Sequence, residues 1–289
     1  MAIDPRLVSA LHLQAVRHAE LSLEEHAAHV VFQTSTLEAL LDGAYDGDLT
    51  IGELRRHGDL GLGTFDGLDG EMIVLDGEVW RARVDGMVER AGDEERTPFA
   101  VVTPFAADQT IVVDGQVELD ELMARATSHA DRAGGGEDAR ARGDSRVCAR
   151  PEPTGPARSS AGPAAGALAV RFDGRLDHVH ARSVPRQPKP YPPLVEAATT
   201  QQEFAIDGVE GSLVGFVFPT WAGGVELPGA HLHAITADRT RGGHVLHARV
   251  GPGVLLVDPL TDLHLELPAG VELPRGDGDD ASLRRIEGG

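Results

Sequence analysis

The stretch AHLHAITADRTRGGHVLHARV, residues 230–250, reads as strand, turn, strand. Apolar residues alternate with polar ones on both sides of ADRTRGG, a segment rich in turn formers. A period of two sends His231 and His233 out of the same strand face. The turn lets the chain reverse, so His244, at the start of the next strand, comes across from that pair. Three imidazoles can then converge as a three-histidine catalytic metal site requires, with positions left open for water or substrate. The competing reading is an exposed strand face in a chain that carries 13 histidines. His178 and His180 have the same two-residue spacing without a third histidine close in sequence, and are assigned to a hairpin surface.

Strand signals extend outward from this stretch. EMIVL-DG-EVWRAR is a hairpin with Asp76-Gly77 at its tip, and LAVRF-DG-RLDHVHARS is read as a second. TPFAVVTPF, TIVVDGQVEL, GVEGSLVGFVFP and GVLLVDP add further strands. Helices are fewer. Asp4-Pro5 opens one of uncertain extent, and STLEALLDG carries a capping box at Ser35 and Glu38 with Gly43 closing it. TIGELRRHG repeats that device at Thr50 and Glu53, and LDELMARATSHADR is a longer helix. DLGLGTFDGLDGE, residues 59–71, is a glycine-rich turn region; no helix start follows it, which argues against a phosphate loop. Asp59, Asp66 and Asp69 read as turn residues. Residues 133–166 lack periodicity and are rich in Gly, Ala, Arg and Pro, the composition of a flexible insertion. The expected class is α+β, with two sheet-based lobes of mixed and antiparallel strands: 1–132, then the insertion 133–166, then a β-rich metal-binding lobe over 167–289.

The chain has 289 residues, 41% hydrophobic and 25% charged, with a formal net charge of −20. That acidity argues against nucleic acid or an anionic membrane as partner. Aromatics make up only 4%, so aliphatic side chains and Ala must fill the core. Cys148 is the only cysteine, which excludes an internal disulfide and a cysteine-based zinc site. No apolar run approaches the ~20 residues of a membrane span. The N-terminal segment is broken by His, Arg and Glu, unlike a signal peptide, so the expected location is cytoplasmic. Lys189 is the only lysine and lies in the extended segment RQPKPYPP, a poor setting for a desolvated amine.

Longer motifs carry a resemblance. FQTSTLEALLDGAYDGDLTIGELRRHGDLGLGTFDGLDGEMIVLDGEVWRARVDG and TPFAVVTPF resemble the N-terminal half of α-acetolactate decarboxylases. RSVPRQPKPYPPL and PGAHLHAITADRTRGGHVL resemble the C-terminal half. The resemblance runs from about residue 30 to 110 and from about 167 to 260, in the family's order. It implies decarboxylation of 2-acetolactate to acetoin by a carboxy-lyase, with Zn2+ on His231, His233 and His244 and a homodimeric assembly. It also implies active-site roles for Glu71 of LDGE, Thr64 of GLGTF and Arg182 of RSVPRQ, and a C-terminal carboxylate matched by Glu287 of LRRIEGG. Where the family carries an aromatic after the second histidine this chain has Ala234, which implies a looser pocket wall.

The implied chemistry needs no organic cofactor. Loss of CO2 from a β-keto acid pushes electron density onto the ketone oxygen, and a metal ion can take up the charge of the enediolate. Arg182 can hold a carboxylate or orient a hydroxyl with its planar fork, and Glu71 can manage protons. Read from the residues alone, Arg182 is equally a sheet-surface residue, Glu71 the first polar residue of a strand, and Thr64 part of a tight turn. Two other functions compete: a cupin-like metal-dependent isomerase or oxygenase, and a non-catalytic β protein that binds small molecules. The cupin pattern fails twice, since Val225 stands where it wants glycine and Ala237 and Asp238 where it wants glutamate.

Overall fold

The computed structural model describes residues 12–17, 28–134, 166–269 and 271. The Asp4-Pro5 helix start, nearly all of the 133–166 insertion and Glu287 lie outside the described residues. The first half contains β1 (His12–Arg17), β2 (Val30–Thr34), α1 (Leu37–Leu41), β3 (Leu49–Thr50), α2 (Ile51–Leu54), β4 (Leu60–Thr64), β5 (Glu71–Leu75), β6 (Glu78–Ala82), β7 (Val88–Arg90), β8 (Arg96–Thr97) and β9 (Ala100–Thr103). β10 (Gln109–Val113), β11 (Val117–Glu118) and α3 (Leu119–Gly134) follow. The second half contains β12 (Leu168–Ser183), α4 (Leu194–Ala197), β13 (Gln202–Phe218), β14 (Gly229–Thr236), β15 (Gly242–Pro259) and β16 (Asp262–Leu267). Among the described residues no helix is long and apolar enough to cross a membrane.

Two sheets dominate, in agreement with the expected class. One has eight strands in the order β1-β16-β2-β9-β4-β5-β6-β7. The other runs β10-β15-β12-β13-β14, with β11 on β15 and an added β14–β15 pairing. That last pairing closes β12, β13, β14 and β15 into a ring. Its interior is lined by Leu213, Leu232, Ala234, Val245 and Ala248, part of one buried cluster. Each Leu or Val among them contributes about 1.5–3 kcal/mol when removed from water. The outer face of β13 presents Val214 and Phe216 to Leu62, Ile73 and Val101 of the eight-stranded sheet, so the two sheets share a core.

The sheets exchange elements across the division expected at 133–166. β10 and β11 belong with the second sheet, because Ile111, Val113 and Val117 bury into the ring's cluster. β16, from the end of the chain, returns to the first sheet between β1 and β2. Sequence order alone cannot reveal such long-range pairing.

Local signals fare unevenly. Asp76 and Gly77 both have positive φ (55° and 74°), as a two-residue primed turn requires, and β5 pairs with β6 across them. Thr50 and Glu53 form the expected capping box. At α1 the cap is Thr36, not Ser35: the Thr36 hydroxyl accepts from the amide of Ala39, and Ser35 takes a left-handed backbone before it. The second DG hairpin is not a hairpin. Asp173-Gly174 lies inside the unbroken strand β12, where Gly174 stands opposite Gly211 and Gly253 on the flanking strands. A Cβ there would sit 2.5 Å from the Pro252 carbonyl oxygen, so the glycine serves close strand approach. The supposed turn region 59–71 likewise contains β4, fully buried between β5 and β9. Only Asp66–Leu68 forms a short 3-10 turn there.

Candidate metal centre

β14 and β15 are joined by a turn that its own side chains hold. The Asp238 carboxylate accepts from the hydroxyls of Thr236 and Thr240 and from the Thr240 amide, chiefly lowering its pKa through Thr236. The reversal pairs His233 directly with His244. His231 lies two residues before His233 on the same face, as the alternation predicts. The three ring centroids are 5.0–5.3 Å apart. One nitrogen of each ring lies within 4.8 Å of the others, a set that can hold a metal ion.

The donors suit such an ion. His233 Nδ1 hydrogen-bonds the Met72 carbonyl at 2.6 Å, which fixes the ring and directs Nε2 toward the other histidines. That Nε2 is buried and has no hydrogen-bond partner, the condition of a lone pair awaiting a ligand. Burial holds His233 well below the ordinary imidazole pKa, helped by His244 and then Arg182; burial and Arg182 do the same for His244. Both rings are therefore neutral bases at neutral pH, the form that ligates metals.

Arg182, on β12, stands opposite His244 in register and is only 5% exposed. Glu71 opens β5, opposite Thr64 on β4, and its Oε2 lies 3.7 Å from His233 Nε2. The Thr64 hydroxyl donates to the Gly70 carbonyl at 2.8 Å, tying the loop that precedes Glu71. The five side chains share a cleft with His231 and an apolar wall of Leu37, Leu40, Leu68, Phe99, Val184, Leu194 and Leu227. Sequence reading missed that wall, because its members come from α1, α4 and separate loops and none carries a chemical signature.

The Ala234 expectation is corrected, while the readings of Asp66, Asp69 and Lys189 hold. Ala234 does not border the cleft: alternation turns it with Leu232 into the ring's interior, away from the histidines. There it pairs with Gly243, against which the Phe204 ring packs. Asp66 and Asp69 do sit at turns, but Asp66 also accepts from the Gly47 amide and Asp69 faces Arg186. Lys189 is exposed and paired with Asp46, far from any desolvated amine.

Comparison with known proteins decides the family. The sequence profile described as alpha-acetolactate decarboxylase matches residues 31–135 and 160–274. The chain belongs to the alpha-acetolactate decarboxylase family. It is 38% identical over 258 residues to the alpha-acetolactate decarboxylase of Methanosarcina mazei, covering 89% of this chain and 79% of that protein. With the Methylococcus capsulatus alpha-acetolactate decarboxylase it shares 37% identity over 269 residues, 93% of this chain and 91% of the relative. The crystal structure of the Bacillus subtilis strain 168 alpha-acetolactate decarboxylase superposes with a TM-score of 0.73 at 32% identity, covering 90% of this chain and all of that one. A fold that matches a solved member of the family and the histidine cluster thus occur together here.

Proposed function

We propose that this chain decarboxylates 2-acetolactate to acetoin and CO2, and that the cluster of His231, His233 and His244 is its Zn2+ site. The observation that carries the reading is the histidine triad, with His233 and His244 buried and Arg182 directly opposite His244, in a mostly apolar cleft. A divalent ion held by the three imidazoles would supply Lewis acidity for the charge that builds on the ketone oxygen.

The protein's own residues account for the remaining work. The Arg182 guanidinium, buried beside the histidines, binds the substrate carboxylate and aligns the bond between C1 and C2 for cleavage. As that bond breaks, its electron pair becomes the C2–C3 double bond of an enediolate and CO2 departs. The apolar wall holds the two methyl groups and excludes water, which favours neutral CO2 over the carboxylate. Glu71, next to His233, accepts a hydrogen bond from the substrate hydroxyl and governs the proton that reaches C2 to give acetoin. Thr64 fixes the Glu71 loop through its bond to Gly70.

Incubation with racemic 2-acetolactate tests this. Acetoin and CO2 in equal amounts are the expected products. Unchanged acetolactate, or CO2 without acetoin, would overturn the proposal.

A further inference from the structure

His178 and His180 have the spacing of the triad histidines but no third partner nearby in sequence. The fold supplies one to His180. In the β12–β15 ladder His180 pairs with His247, and Ala181 with Val245, so Leu246 is an extra residue on β15. This bulge turns His247 outward on the same face as His180. Their side chains are 42% and 56% exposed, so neither is part of the core.

Each ring is flanked by a carboxylate from the next strand. His180 Nε2 lies 2.9 Å from Glu203 Oε2 on β13, and His247 Nε2 lies 3.1 Å from Glu118 Oε2 on β11. Across the four strands the order is Glu118, His247, His180, Glu203. Directly opposed residues have Cβ atoms about 4.5–5.5 Å apart, a span that two imidazoles can bridge through one ion.

We propose that His180 and His247 form a second divalent transition-metal site on the outer face of the ring, completed by Glu203 and Glu118. Two imidazoles and two carboxylates match the charge of a dication and the ligand preference of zinc, nickel or copper(II). Each ring now faces its own carboxylate, and the four donors are not gathered as those of the triad are; in the proposed site they converge by rotation of exposed side chains between staggered wells. The site is separate from the triad, since His180 and Arg182 are two residues apart on β12, roughly 7 Å along the strand. His178 provides the control: it has a carboxylate partner, Asp207, but faces Arg249 where His180 faces a histidine.

Equilibrium dialysis of the full chain against Zn2+, followed by metal analysis, tests the proposal. The wild type is expected to hold two ions, and His180→Gln and His247→Gln one each, while His178→Gln keeps two. Electron paramagnetic resonance of Cu2+ added to His233→Ala is expected to show nitrogen coupling that His247→Gln in the same background abolishes. One ion per wild-type chain at saturation, or a second ion that survives in the His180→Gln/His247→Gln double variant, would overturn the proposal.

Discussion

Arg182 and His244 face each other across two adjacent antiparallel strands, and His233 faces His244 from the other side. One β-ladder row therefore carries a buried cation and two neutral imidazoles. Burial chiefly keeps both rings unprotonated, and the cation adds to that effect, so a group suited to binding a carboxylate also favours the neutral form that a metal ligand needs.

Arg182→Lys separates those roles. Lysine keeps the charge but loses the planar fork. Zinc content is expected to stay at the wild-type level while kcat falls by roughly 100-fold, the scale of losing one preorganised electrostatic contact. Metal analysis alongside steady-state kinetics checks both, and wild-type turnover would remove Arg182 from the reaction.

His233→Ala removes the donor whose buried Nε2 has no hydrogen-bond partner and also strips the Met72 carbonyl of its hydrogen bond. Loss of bound zinc and of activity is expected, with destabilisation of about 1–3 kcal/mol from the orphaned carbonyl. Metal analysis and denaturant titration report the two effects. A variant that retains its zinc contradicts the ligand assignment.

Gly61→Ala tests the packing that brings β4 against β9. The new Cβ would meet the Val101 carbonyl oxygen at 2.2 Å, and backbone cannot yield as a flexible side chain would. A loss of about 1–3 kcal/mol is expected in urea unfolding. Unchanged stability would show that the strands separate freely there.

The hydrogen bond from His29 to the buried Asp258 raises the His29 pKa above its ordinary value. Burial raises Asp258 as well, despite its bonds to His29 and the Ala106 amide. A histidine with a raised folded-state pKa lends stability that is complete below its unfolded value, near 6.5, and disappears as pH climbs through the folded value. Wild-type stability is therefore expected to decline from pH 6 to pH 8 more steeply than that of His29→Gln. Parallel pH profiles of the two melting temperatures would refute the coupling.

Much of the candidate site was legible because it is local. His231, His233 and His244 follow from a period of two and one turn, and the Asp76-Gly77 hairpin from a dipeptide with one common backbone solution. Arg182, Glu71 and Thr64 are different: their residue types fit a strand surface or a turn equally well, and only the family resemblance singled them out. The Asp173-Gly174 dipeptide misled because its meaning depends on Gly211 and Gly253, far away in the chain. For the same reason no local pattern announced that β16 would cross to the first sheet, or that a bulge at Leu246 would bring His247 opposite His180.

The most direct measurement is chelation and restoration on one sample. Protein stripped of metal by a chelator is assayed with 2-acetolactate, then again after one equivalent of Zn2+ per triad is returned. Acetoin formation is expected to vanish on stripping and to return with zinc in the wild type but not in His233→Ala. Full activity in protein shown by elemental analysis to be metal-free would contradict a reaction that depends on an ion held by these three histidines.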